Sequence, residues 1–250
     1  MTKISGYHGV ILDVDLSSGQ ISKKEVAPED YRDFVGGRGL GAKLLWDALP
    51  GPGVDATSPQ NPLIFVAGPF SGFPLPSASR TCVVTKSPIT AAKQSEHEHA
   101  STITYANMGG FLAPEIRFAG YDAIMIRGRA DHPVHLRIHN GDVDIFDARK
   151  YWGMGTDQFD REFAGELGKR RYQTCYIGPA GENLVRIAAI MNDKERALAR
   201  GGAGAVMGSK NLKAIAVIGQ GGRILRHEEA VLVAGEHVGR AGGRRIEAVV

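Results

Sequence analysis

One passage of this chain is written twice. Leu63-Ile64-Phe65-Val66-Ala67 runs into Gly68-Pro69, and Cys175-Tyr176-Ile177 runs into Gly178-Pro179 about 110 residues further on. Both apolar runs are short enough for buried strands, and the same dipeptide stops them. The signals around them recur in the same order. Gly6-Tyr7 leads to an alternating strand over 10–16, a Ser17-Ser18-Gly19-Gln20 turn and a strand over 21–26. Gly120-Tyr121 leads to Ala123-Ile124-Met125-Ile126 and a hairpin of 134–138 with 143–146, whose Asn140-Gly141 predicts a type I′ turn. Helical spacing predicts a helix over 39–49 in one half and, from Phe159, Phe163 and Leu167, over 156–168 in the other. After each Gly-Pro a polar loop precedes a strand, over 80–86 and over 185–190. The pattern is an internal duplication whose second copy starts at residue 121.

Hairpins with few helices predict an α+β fold, one duplicated domain of mostly antiparallel sheets, rather than a doubly wound parallel sheet. That domain is expected over 1–218. Residues 219–250, rich in glycine and arginine, read as a flexible tail or the start of a truncated second domain. A 43% hydrophobic and 23% charged composition excludes collagen and disorder. Thirty basic against 27 acidic residues, net +3, give no electrostatic case for nucleic acid beyond the Arg223, Arg226, Arg240, Arg244 and Arg245 tail. With no apolar leader core and no run near the ~20 residues of a membrane span, a cytoplasmic protein is expected. Cys82 and Cys175, far apart in apolar runs, read as buried thiols rather than a disulfide.

Glycine fills 33 of 250 positions, about twice the usual share, and it concentrates in loops. In Arg196-Ala197-Leu198-Ala199-Arg200-Gly201-Gly202-Ala203-Gly204, followed by Lys210 and Lys213, bare backbone N–H groups and cations suit a phosphate. It is neither a Walker A loop nor a Rossmann fingerprint, because the Gly-Lys-Ser/Thr order is missing and polar residues 192–196 precede it. Gly36-Gly37-Arg38-Gly39 offers a second glycine-rich approach, with Arg38 able to pair an anion through two N–H groups. A third loop, Asn107-Met108-Gly109-Gly110, can face a cation or a planar ligand, and Arg80 opens a strand where its side chain can enter a site. Together these favour a large phosphate-bearing cofactor. Glu96-His97-Glu98-His99 has metal-binding residue types, but its polar context favours a solvated loop. His132, His135 and His139 are expected on the surface. No nucleophile or general base stands out.

The ordered motifs Gly-Arg-Gly-Leu (37–40), Ala-Gly-Pro (67–69), Val-Thr-Lys-Ser-Pro (84–88), Asn-Met-Gly-Gly (107–110), Phe-Ala-Gly-Tyr-Asp-Ala-Ile (118–124), Ile-Gly-Pro-Ala-Gly-Glu-Asn-Leu (177–184), Ala-Ala-Ile-Met-Asn-Asp (188–193) and Gly-Ala-Val-Met-Gly-Ser-Lys-Asn-Leu-Lys-Ala (204–214) resemble the N-terminal domain of the aldehyde:ferredoxin oxidoreductase family. The resemblance covers about 6–218. It implies a duplicated base for a bis-pyranopterin cofactor of tungsten or molybdenum, with Mg2+ bridging the pterin phosphates. Position by position it implies that Arg80 and Arg196 meet the pterin or its phosphates. Backbone carbonyls of Asn107 and Ala197 would face the metal, and Gly109 and Gly110 would admit the pterin. Arg38, Arg200, Gly201 and Gly202 would be neighbours.

For a whole family enzyme the resemblance implies oxidation of a small aldehyde to a carboxylic acid, with electrons passing through a [4Fe-4S] cluster to ferredoxin or another carrier. The cluster and the acid–base residues belong to C-terminal segments that this sequence does not contain. The stretch from Ala91 to Thr104 also departs from the family pattern. A truncated chain, a fragment gene product or a split subunit is therefore expected, completed by a C-terminal-domain partner chain or a homo-oligomer. The alternative is a non-catalytic pterin- or phosphate-binding subunit that needs a partner for activity. Neither reading involves nucleic acid or a membrane.

Overall fold

The structure, a computed structural model, describes residues 6–73, 77–91, 94–97 and 100–220. The chain opens with the hairpin β1 (Val10–Asp15) and β2 (Gln20–Glu25), then α1 (Pro28–Phe34), α2 (Gly37–Ala48), β3 (Leu63–Ala67), β4 (Thr81–Ala91), β5 (Ser101–Met108), α3 (Leu112–Phe118) and β6 (Ala123–Arg127). A second hairpin follows, β7 (Val134–His139) and β8 (Asp142–Asp147), then α4 (Thr156–Leu167), β9 (Gln173–Tyr176), α5 (Pro179–Glu182), β10 (Ile190–Asn192), β11 (Arg196–Leu198), α6 (Ala203–Ser209) and β12 (Leu212–Ile218).

Two six-stranded sheets result, and they have one topology. The first is ordered β2-β1-β6-β3-β4-β5; the second, read from its β8 edge, is β8-β7-β12-β9-β10-β11. The parallel pairs, β1/β6 and β7/β12, are equivalent, and the other pairings among described residues are antiparallel. Registers coincide as well. One rung of the first sheet runs Leu12, Ile124, Phe65, Val83, Ala106. Its counterpart in the second runs Leu136, Ile215, Cys175, Asn192, Arg196.

The duplication is thus real, but its boundary differs from the one the sequence suggests. β6 lies beside β1 in the first sheet, and the second copy starts at β7. Gly120-Tyr121 looks like Gly6-Tyr7 because β1 and β6 are neighbours. Asp122, just before β6, accepts the backbone N–H groups of His8 (3.1 Å) and Gly9 (2.8 Å) and the Tyr31 hydroxyl, and it pairs with buried Arg117.

Three further expectations are corrected. The strand expected over 185–190 is confined to Ile190–Asn192; Leu184 and Val185 donate back to Gly181 and Ala180, winding the chain into turns after α5. Of the Asn140-Gly141 pair only Asn140 takes left-handed backbone (φ 57°), so the turn is not type I′. His135 is buried rather than superficial, its ring stacked 5.2 Å from Phe146 and edge-on to Phe163 under α4. Of the tail expected over 219–250, Gly219 and Gln220 donate to Glu115 (2.7 Å) and Asn140 (2.7 Å), and residues 221–250 lie outside the described residues.

One apolar core contains residues of both sheets, including Leu12, Phe65, Ile124, Leu136, Cys175 and Ile215, together with Ile116 of α3 and Val206 of α6. The outer face of the first sheet is covered by Tyr31, Leu40 and Leu45 of α1 and α2, and that of the second by Phe159 and Phe163 of α4. Both cysteines are free and buried. Among the described residues no helix is long and apolar enough to cross a membrane.

Candidate cofactor-binding site

Edge strands β5 and β11, one from each sheet, lie against each other. Each runs into a glycine loop that opens a short helix: Gly109-Gly110-Phe111 before α3, and Ala199-Arg200-Gly201-Gly202 before α6. The loops occupy equivalent places in the duplicated fold, and each packs on the other half. Gly110 has φ +99°, and a Cβ there would stand 2.9 Å from both Asn192 Oδ1 and Arg196 Cδ. Gly201 has φ +77°, and a Cβ there would overlap the Thr104 hydroxyl of β5. Positive φ and close approach require glycine at both positions. Ser87 Oγ spans the halves too, donating to the Gly201 carbonyl at 3.5 Å.

Asn107 and Ala197 are also equivalent, since Asn107 sits opposite Cys82 and Ala197 opposite Met191, one residue before the end of each edge strand. Arg80 is exposed and directly precedes Thr81, which pairs with Met108 beside the first loop. Half-buried Arg196 opens β11. Arg38, in the first turn of α2, donates to the Tyr105 hydroxyl of β5 (2.8 Å) with its guanidinium 4.8 Å from that ring centre. Arg200 is exposed within the second loop. The fold therefore gathers Arg38, Arg80, Asn107, Gly109, Gly110, Arg196, Ala197, Arg200, Gly201 and Gly202 around one pair of edge strands. Among the described residues, none of these four arginines forms an ion pair, whereas Arg117, Arg127, Arg137 and Arg161 all meet carboxylates.

Two cations assigned to an anion by sequence are not there. Lys210 is buried, donating to the carbonyls of Gly128 (3.2 Å) and Pro59 (3.4 Å). Lys213 is buried against Glu182, 4.9 Å from the centre of the Phe159 ring. Both fasten the fold. The Cys82 thiol is pushed up to about 12 by burial, against the pull of Arg38, and burial likewise raises Cys175, so neither is a thiolate at neutral pH. Glu96 and His97 are exposed, Glu98 and His99 lie outside the described residues, and no described group of three or more His, Cys, Asp or Glu can hold a metal.

Sequence reasoning missed Asn192 and Thr104. Residues 192–196 are polar and read as loop, but they form a tight hairpin that sets Asn192 opposite Arg196. Period-two pairing across that hairpin was the available signal. A separate dish of about 340 Å3 beside the end of α4 is lined by Asp160, Arg170, Gln173 and Asp193 among others, and by none of the sequence-named site residues.

Residues 11–219 match the family model described as "Aldehyde ferredoxin oxidoreductase, N-terminal domain". The chain belongs to the aldehyde ferredoxin oxidoreductase family. Within that family of oxidoreductases it is 46% identical over 214 residues to the tungsten-containing aldehyde ferredoxin oxidoreductase of Pyrococcus abyssi, covering 86% of this chain and 33% of the relative. It is 38% identical over 229 residues to the "Aliphatic sulfonate oxidoreductase, WOR-like subunit" of Pyrococcus furiosus, covering 86% of this chain and 35% of that one. A solved structure titled "Active site complex BamBC of Benzoyl Coenzyme A reductase in complex with 1,5 Dienoyl-CoA" superposes with TM-score 0.79 and 41% identity, covering 86% of this chain and 31% of that chain. This member of the aldehyde ferredoxin oxidoreductase family thus spans about a third of the length of the relatives it matches.

Proposed function

We propose that this chain is the base of the cofactor site in a tungsten or molybdenum enzyme that oxidises small aldehydes to carboxylic acids and passes the electrons to ferredoxin or another carrier. The observation that carries the reading is the set of four arginines, Arg38, Arg80, Arg196 and Arg200, without ion-pair partners among the described residues, around two equivalent glycine loops. Unpaired guanidinium groups beside positive-φ glycines suit a polyanion brought close to the backbone. A bis-pyranopterin, with two phosphates, fits this donor set. At Gly110 and Gly201 the place of a Cβ is taken by the opposite half, by Asn192 and Arg196 and by Thr104, so each loop is fixed against the other half, and the two loops are related by the same duplication that would relate two pterins.

In this reading Arg80 and Arg196 bind the phosphates, Gly109 and Gly110 admit a pterin, and Arg38, Arg200, Gly201 and Gly202 complete the wall. The backbone carbonyls of Asn107 and Ala197 hold Mg2+; their equivalence in the duplicated fold supports one cation shared between two symmetric halves. When bound, the cofactor supplies two-electron chemistry at its metal, while the chain's part is to bind and orient it. We assign residues 1–218 to this unit, and the [4Fe-4S] cluster and acid–base groups to further segments or a partner chain. The names of the more identical relatives favour an aldehyde as substrate; the sulfonate and benzoyl-CoA relatives mark the alternatives.

Elemental analysis of the anaerobically purified protein for W, Mo, Fe and phosphorus, with its mass in solution, tests this. Near-stoichiometric W or Mo with phosphorus supports the cofactor role, and aldehyde-dependent reduction of ferredoxin separates enzyme from carrier. Arg196→Ala in the assembled protein is expected to lower metal and phosphorus content by removing a contact worth about 1.5–3 kcal/mol. Unchanged content overturns the role of Arg196.

A further inference from the structure

Asn192 is fully buried on the inward face of the second sheet, the face that carries Cys175 and Ile215 into the shared core. Its Nδ2 donates to the Thr174 carbonyl at 2.6 Å, while its Oδ1, equally buried, has no partner. A buried carbonyl oxygen without a donor is costly and calls for an explanation. Directly across the β10–β11 hairpin stands Arg196. A single point, the place of the absent Gly110 Cβ, lies 2.9 Å from Asn192 Oδ1 and 3.3 Å from Arg196 Nε. In the first sheet the equivalent pair is Val83 and Ala106, both apolar and buried. The other three positions of the rung are apolar in both sheets, so the change towards polarity falls on this pair.

We propose that Asn192 is the positioning residue of Arg196. Its Oδ1 is the acceptor on which the guanidinium closes when a phosphate binds at the glycine loops, leaving the outer N–H edge of Arg196 for the anion. A ligand atom cannot take that place directly, because Oδ1 is covered by Gly110 and Arg196 and closed to solvent. Without a Cβ, Gly110 lets Asn192 and Arg196 both approach its backbone this closely. The inference rests on the phosphate-binding reading above and adds to it a residue that acts through another.

The test uses the full 250-residue chain, with inorganic pyrophosphate as probe, with and without Mg2+. Calorimetry is expected to show binding weakened about ten- to a hundredfold by either Asn192→Ala or Arg196→Ala, and the double variant no weaker than Arg196→Ala alone. Effects that multiply, or an Asn192→Ala chain that binds like the parent, overturn the proposal. A purely structural Asn192 is separated by the side-chain Nε–H resonance of Arg196, identified by its loss in Arg196→Ala. In the parent chain its exchange with water is expected to slow when pyrophosphate binds. This measurement needs no Asn192 variant to fold. Pyrophosphate bound with the Arg196 exchange unchanged overturns the role of Asn192 alone, whereas no binding under either condition overturns the phosphate reading and this inference with it.

Discussion

Gly110 and Arg196 belong to opposite halves of the duplicated fold, and a methyl group on the first would stand 2.9 Å from Cδ of the second. The site is therefore an interlock as well as a cradle. Neither glycine loop can move without disturbing the other sheet's edge strand, since Gly201 meets Thr104 in the reciprocal way.

Gly110→Ala should expose that interlock. Its φ of +99° is strained for alanine, and Asn192 and Arg196 occupy the space for Cβ. Strain of this kind costs of order 1–3 kcal/mol. The adjacent Gly109 has no such φ, and its Cβ would meet nothing within 4 Å. Urea unfolding should show a clear loss of stability for Gly110→Ala and a change within about 0.5 kcal/mol for Gly109→Ala. Equal losses would mean that the close approach is not what Gly110 is for.

The buried Lys213–Glu182 pair makes a second prediction. Both side chains are almost wholly shielded, and Glu182 also accepts the Gly153 N–H at 2.7 Å. Glu182→Gln leaves an uncompensated buried ammonium, a loss of about 3–5 kcal/mol. Replacing both, Lys213→Met with Glu182→Gln, should recover much of it. A double-mutant cycle by chemical denaturation reads the coupling directly, and simple additivity would contradict the pairing.

The strands with dense apolar runs, such as Leu63–Ala67, were legible because burial on both faces leaves a continuous signature. β5 was not, because Ser101-Thr102-Ile103-Thr104 is an edge segment with few buried positions. β11 and its hairpin were hidden for the same reason, and with them the Asn192–Arg196 pairing. The glycine loops and arginines of the site were visible as residue types, but not which cations remain unpaired. Lys210 and Lys213 looked like anion ligands by proximity in sequence. Their burial depends on the packing of α6 and β12 between distant segments, Gly128 and Met154 included. Similarly, Gly120-Tyr121 marked a strand neighbour rather than a copy boundary, a distinction only the sheet order makes.

Acid should loosen the second half first. Burial holds His135 down to about 4, against the pull of nearby Glu166. The unfolded chain takes up that proton near pH 6.5, so stability falls as pH drops from about 6.5 towards 4. Burial alone would raise Glu166, yet Lys150, Tyr151 and His135 hold it down to about 2. Its contribution is present above the unfolded value near 4.3 and is lost as pH falls through about 2. In unfolding curves taken across pH, His135→Phe should flatten the upper limb and Glu166→Gln the lower one. An unchanged upper limb in His135→Phe would place the acid sensitivity elsewhere.

Lys210 gives a slope of the same sign at higher pH. It is pushed down to about 7, first by burial and then by Arg129, with Arg127 adding to the shift and Asp15 opposing it. The folded chain therefore releases this proton near pH 7, whereas the unfolded chain keeps it to about pH 10.4. Between those values the unfolded state binds more protons, so stability rises with pH, by at most about 1.4 kcal/mol per unit from this group. The neutral amine still has two N–H groups for the two carbonyls it meets, Gly128 and Pro59, so its hydrogen bonds survive deprotonation. Lys210→Met removes both the titration and those bonds. The variant should gain on the parent as pH falls from about 9 to 7 and lose ground as it rises, with the parent-minus-variant difference sloping upward through that window. A flat difference would mean that Lys210 stays charged inside the fold, held by the two carbonyls alone.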